Sequence, residues 1–197
     1  LNMVGVNRRF YSVMRQAKQA IDDVGGLCSI VVEAPERFRQ LEGLLDFHPR
    51  EVLENWIVCN GMHCIDLLRF FGGDVVEIAV EAVRGGLSKP SQFNALIRFE
   101  GGATGHYISN WTAPGRWSVV LYGDGRRVTL EPLEEGTIWD VGEAERSIEP
   151  DTADVTHKPG LHAQDRFFID CVKSGTLPDY PASNLADSLK TMQLIEQ

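Results

Sequence analysis

A chain of 197 residues, 43% hydrophobic and 24% charged, has the size and composition of one globular domain with its own core. Nineteen Lys and Arg against 28 Asp and Glu leave a formal charge of −9, which excludes a phosphate-backbone-binding surface, because nucleic-acid affinity rests on clustered cations. No apolar run approaches a membrane span and no signal-peptide pattern opens the chain. Cys28, Cys59, Cys64 and Cys171 form no CxxC pair, so they read as reduced thiols of a cytoplasmic protein.

Residues 3–6 read as a short buried strand that ends at Asn7-Arg8-Arg9. From Phe10 the apolar positions Val13, Met14, Ala17, Ile21 and Val24 recur at helical spacing, and Gly25-Gly26 supplies a left-handed stop. Residues 27–34 form a strand. Residues 35–54, polar and rich in Pro, Glu and Arg, read as a long, partly helical connection of the kind that carries substrate lids. Asn60 stands where an N-cap belongs, followed by a helix with His63, Leu67 and Phe70 on one face and Gly72-Gly73 at its end.

From 75 to 141 the apolar period changes to two. Segments 75–84, 93–99, 104–111, 118–122, 127–131 and 137–141 are six strands, separated by Gly-rich turns too short for parallel crossovers. Two helices close the chain. Leu161, Asp165, Phe168, Cys171 and Val172 share a face of the first, and Leu185, Leu189, Met192 and Ile195 a face of the second. The sum is an α+β fold: one large, mostly antiparallel open sheet with helices on one face and the other face available for oligomerisation. Val80, Ile97, Ile108, Trp111, Val119 and Leu121 supply apolar side chains to both faces, which favours a homodimer or homotetramer through the sheet.

The stretch that carries chemistry is Asn55-Trp56-Ile57-Val58-Cys59-Asn60-Gly61-Met62-His63-Cys64-Ile65-Asp66. It sets His63 in the first turn of a helix, where the partial positive charge of free backbone N–H groups disfavours imidazolium. A neutral imidazole there can take the proton of a substrate hydroxyl, which must leave as a hydride does. The bland alternative is a core histidine hydrogen-bonded to backbone. Cys59, four residues earlier, shares a face with His63 only if the helix begins a turn sooner, which would invite a Cys/His metal site or a thiolate pair. Asp66 could orient a neighbour, but an Asp three residues after His63 reads more readily as a solvated or capping residue. His106-Tyr107 and Asn110-Trp111 on the sheet, and His162 with Asp165 at a helix start, suit a sugar pocket of aromatic platforms and hydrogen-bonding tips as well as they suit ordinary packing. No GxGxxG turn opens a helix.

Taken in order, these motifs resemble the C-terminal domain of the glucose–fructose oxidoreductase, inositol dehydrogenase and MocA family. Val4-Gly5-Val6-Asn7-Arg8-Arg9-Phe10 resembles its entry segment, and Cys59 to Asp66 its D-x-G-x-H-x-x-D motif. Asn110-Trp111 and Tyr122-Gly123-Asp124-Gly125 resemble its Ser-Trp strand end and G-x-x-G hairpin. Gln164 to Asp170, with Gly175, Pro178 and Ala182, resembles its closing helices. The resemblance implies a two-domain enzyme in which residues 1–197 bind substrate and oligomerise. A Rossmann domain preceding Leu1, absent from this chain, would hold NAD or NADP. It implies His63 as acid/base toward a sugar or polyol, with Asn7, Arg9, Cys59, Tyr107, Trp111 and His162 in the substrate pocket. Cys59 stands where the family has Asp, and a thiol cannot supply that constant negative charge. That departure keeps a second reading open, a non-catalytic sugar-binding or oligomerisation module of the same fold. The third reading is the Cys/His metal protein.

Overall fold

The computed structural model describes residues 1–36, 47–83 and 91–197. Part of the connection at 37–46, and the end of the first meander strand with its Gly85-Gly86 turn, lie outside the described residues.

The expected strand at 3–6 reduces to a single bridge, the Val4 N–H donating to the Ser183 carbonyl at 2.8 Å. The next residues, Asn7–Phe10, wind into a 3-10 turn that leads to helix α1, Ser12–Asp22. Helix α1 buries Val13, Met14, Ala17, Ala20 and Ile21 and leaves Arg15, Gln16 and Gln19 outside, as its spacing predicts. Gly25 and Gly26 follow with φ of 93° and 104°, and the Gly26 N–H caps the Ile21 carbonyl at 3.0 Å.

Strand β1, Ser29–Glu33, enters the sheet beside two strands far along the chain. After the short helix α2, Arg50–Glu54, come helix α3, Met62–Gly72, and strands β2 (Val75–Val83), β3 (Gln92–Phe99), β4 (Thr104–Asn110), β5 (Ser118–Gly123), β6 (Arg126–Leu130), β7 (Gly136–Asp140) and β8 (Arg146–Ile148). Helices α4 (Thr152–Thr156), α5 (Leu161–Ser174) and α6 (Leu185–Ile195) complete the described elements.

The sheet order is β2-β3-β4-β1-β5-β6-β7-β8. All six strands expected between 75 and 141 form, and β8, too short to show a period, joins them. The single continuous meander does not form. Two antiparallel meanders, β2-β3-β4 and β5-β6-β7-β8, are joined through β1, which runs parallel to β4 and antiparallel to β5. Alternation sends Ile30 and Val32 of β1 to one face, beside Tyr107, Val119 and Leu121. Helices α1 and α3 cover that face, with α6 packed on α3. Of the six apolar residues expected on both faces, Ile97, Val119 and Leu121 are buried on the helix side, and Val80 aligns with Ala95 on that same side. Trp111 lies just past β4, and Ile108 faces the open side together with Val31, Leu96, Val120, Tyr122 and Trp139.

The closing helices differ from expectation in what they bury. Helix α5 buries Gln164 and Cys171 and leaves Leu161, Ile169 and Val172 exposed. Helix α6 buries Ser188 and Thr191, whereas Leu185 and Leu189 are 64% and 56% exposed. The reason is an ionic seam: α6 meets α3 through the Arg69 guanidinium, which donates to the Asp187 carbonyl at 2.8 Å and to Thr191 Oγ1 at 3.1 Å.

Candidate functional site

The helix carrying His63 starts differently from the expectation. Ile57–Gly61 forms a π-helical turn that runs straight into α3, so His63 lies one turn inside a continuous helical path and not at a free N-terminus. Asn60 is therefore no N-cap. Its side-chain amide instead donates to both oxygens of Glu36, at 3.0 and 3.3 Å, and the Trp56 indole N–H donates to Glu36 at 2.9 Å. Cys59, in the same π turn, is exposed.

Glu36 is a site residue that the sequence reading passed over. It sits just beyond the end of central strand β1 with its side chain buried. Burial pushes its carboxyl up, against the opposing pull of the Trp56 and Asn60 hydrogen bonds and the Arg8 charge. A charged residue directly after an apolar strand and Ala-Pro was the available signal.

Behind Glu36, side chains from β4 form a buried polar line. The Trp111 indole donates to Ser109 Oγ at 2.9 Å, and Ser109 Oγ donates to the Ala34 carbonyl at 2.6 Å. The Tyr107 hydroxyl lies beside Gly61, and burial raises its pKa well beyond the ordinary range. Tyr107 and Trp111 thus meet in one cluster with Ser109.

His63 is half-buried. Its Nδ1 is shielded and has no hydrogen-bond partner among the described residues. Burial first, and the Arg8 charge second, lower its pKa to about 4. The imidazole is neutral at pH 7, as expected, but desolvation and a nearby cation cause this and not a helix terminus. Arg8 had no assigned role beyond the polar end of the first strand. Its guanidinium lies 5.3 Å from the Trp117 ring centre, and its NH1 donates to Asn7 Oδ1 at 2.9 Å. Asn7 is buried and its amide donates in turn to the Pro159 carbonyl at 3.2 Å.

Two expected pocket residues are placed elsewhere. Arg9 is buried and forks onto Asp66 at 2.7 and 2.6 Å, with Asp187 at 3.0 Å. Pairing holds it in the α3–α6 seam, and Asp66 is a buried ion-pair partner and not a solvated or capping residue. His162 is exposed and stacks on His157, ring centres 4.8 Å apart. His106 lies on the open face, opposite Tyr107.

Among the described residues no group of three His, Cys, Asp or Glu side chains is placed to hold a metal ion, so the Cys/His metal reading has no support there. Gly101, Gly102 and Gly105 lie in the β3–β4 turn and in β4 and open no helix, so no backbone cradle for a pyrophosphate forms on them. No described helix is long and apolar enough to cross a membrane.

An open eight-stranded sheet, covered on one side by helices and carrying a polar cluster beyond its central strand, defines an α+β domain of the open-sheet type. Residues 47–129 match the GFO/IDH/MocA C-terminal domain, so over that stretch the family resemblance read from the ordered motifs holds. Solved structures share the fold. The aldose-aldose oxidoreductase from Caulobacter crescentus, complexed with glycerol, superposes with TM-score 0.79 at 18% identity, over 99% of this chain and 59% of that one. The UDP-N-acetylglucosamine 3-dehydrogenase GnnA from Acidithiobacillus ferrooxidans gives 0.75 at 15% identity, over 100% and 60%. An oxidoreductase from Agrobacterium radiobacter, in complex with NAD+, L-tartaric acid and magnesium, gives 0.71 at 16%, over 98% and 60%. The chain thus spans about 60% of the length of these oxidoreductases. No curated protein matches it in sequence.

Proposed function

We propose that this chain is the substrate-binding domain of an NAD(P)-dependent oxidoreductase acting on a sugar or polyol hydroxyl, with His63 as the acid/base. The supporting observation is the His63 imidazole: neutral, shielded at Nδ1, and therefore left with Nε2 to meet a substrate. Alcohol oxidation requires the hydroxyl proton to leave as the hydride does, and a neutral imidazole within hydrogen-bond reach accepts it. Tyr107 and Trp111, in the polar cluster, and Asn7, held against Arg8, shape the pocket in this reading, and Cys59 stands one residue from Asn60 on its exposed side. NAD or NADP, which supplies the hydride acceptor, is held by a Rossmann domain outside this chain in this reading. The protein is cytoplasmic and assembles through its open sheet face.

The competing reading is a non-catalytic module of the same fold, favoured by Cys59 in place of the family Asp. Kinetics separates the two. In the enzyme that joins this chain to a dinucleotide-binding domain, His63→Asn is expected to lower kcat by about 10²–10⁴-fold while KM stays within a few-fold. An unchanged kcat would leave only the non-catalytic reading. The 197-residue chain by itself is expected to transfer no hydride to NAD(P).

A further inference from the structure

Among the described residues, the other arginines that are buried or half-buried, Arg9, Arg69 and Arg126, are each paired with aspartates. Arg8 differs. It is half-buried, it has no carboxylate within ion-pair distance among the described residues, and the hydrogen bond its guanidinium makes there is the one to Asn7. Nevertheless it is held in place, by Trp117 against its flat face and by Asn7 at NH1. Its Nε is shielded without a partner, so the terminal NH1/NH2 edge is left to meet an acceptor. Placing a cation under partial burial with no described carboxylate in ion-pair contact is costly, and a planar fork held by packing is organised for a carboxylate.

We propose that the NH1/NH2 edge of Arg8 is a carboxylate subsite beside His63, and that the hydroxyl substrate of this domain is an acidic sugar. This rests on reading the His63 cluster as the substrate pocket. The Asn7–Phe10 turn packs on α3, where Arg9, the neighbour of Arg8, pairs with Asp66 three residues beyond His63, and the Arg8 charge is accordingly felt at His63, Cys64 and Glu36. A monoanion fits better than a phosphate dianion. The described cluster offers one guanidinium and no lysine, His63 is neutral, and Glu36 is itself a carboxyl. A bound carboxylate also neutralises the cation that lowers the His63 pKa, so substrate would make the base stronger as it binds.

The probes are D-glucuronate, D-glucose and D-glucose 6-phosphate, titrated into the 197-residue chain at low salt by calorimetry and by NMR of the His63 ring. Glucuronate is expected to bind at least tenfold more tightly than glucose or glucose 6-phosphate, and to raise the His63 pKa. Arg8→Gln should abolish the preference, and Arg8→Lys should keep part of it, since the charge remains without the fork. Thermal melts of both variants establish that they fold. Equal binding of glucuronate and glucose, a preference that survives Arg8→Gln, or tighter binding of the phosphate would each overturn the assignment while leaving the pocket reading intact. Binding of none of the three would remove the pocket reading and the subsite together.

Discussion

Protonation of His63 is a stability question as well as a catalytic one. The folded chain holds its pKa near 4 against an ordinary 6.5, chiefly by burial. Between those values the unfolded chain binds a proton that the folded chain does not, so stability falls as pH drops through that window. Glu36 works in the opposite sense, because its raised pKa lets the folded state take up a proton first. The expected outcome is that His63→Asn flattens the loss of melting temperature between pH 6.5 and 4; an acid profile identical to wild type would refute the burial assigned to the ring. At this scale the sequence was half legible. His63 was singled out by its motif and expected to be neutral, but for a helix terminus that does not form there, and neither its burial nor its partner charges showed in the spacing. Arg8 and Glu36 come from two connections, and only the fold brings them near one another.

At the scale of elements, α3 is held on two sides by charge. Asp66 receives Arg9 from the Asn7–Phe10 turn, while Arg69 reaches Asp187 of α6 at 2.6 Å and Asp74 at 2.9 Å. Removing Asp66 leaves buried Arg9 with only the half-buried Asp187, and losing the better-buried carboxylate outweighs what the intact pair contributes. Asp66→Asn is expected to destabilise the fold by about 3 kcal/mol in urea denaturation, and the paired change Arg9→Met with Asp66→Leu to recover most of it. A cost under about 1 kcal/mol would show the pair to be wet and dispensable. The helices were legible from period and glycine stops, yet the buried face of α6 was misjudged for one reason. Apolar periodicity says nothing about an ionic seam, so Leu185 and Leu189 looked like core while Ser188 and Thr191 are what is buried. The π turn escaped as well, since Asn60 has the composition of a cap and its actual partner lies 24 residues back.

For the whole molecule, the proposed assembly turns on the open sheet face. Leu96 is 57% and Trp139 50% exposed there, interspersed with His106, Thr129 and Arg127. A mixed face of this kind suits a partner that matches both apolar and polar positions, as a second copy does. Sedimentation is expected to show self-association of the wild-type chain and a shift toward monomer for Leu96→Glu with Trp139→Glu. A strictly monomeric wild type at high concentration would argue against the face-to-face assembly. Fold class was the most legible property, because turns every few residues leave few topologies. The placement of β1 was not, since no local signal records which later strands will flank it.

That placement governs how the domain can be made. Strand β1 leaves the ribosome ahead of both its hydrogen-bonding partners, Thr104–Ile108 and Ser118–Tyr122. Roughly a third of the chain must be synthesised before the centre of the sheet has either neighbour, and closing loops of that length is the slow part of folding. Ile30, Val31 and Val32 wait through that interval as an unpaired apolar strand, so that stage of synthesis, more than the finished domain, is where aggregation would begin.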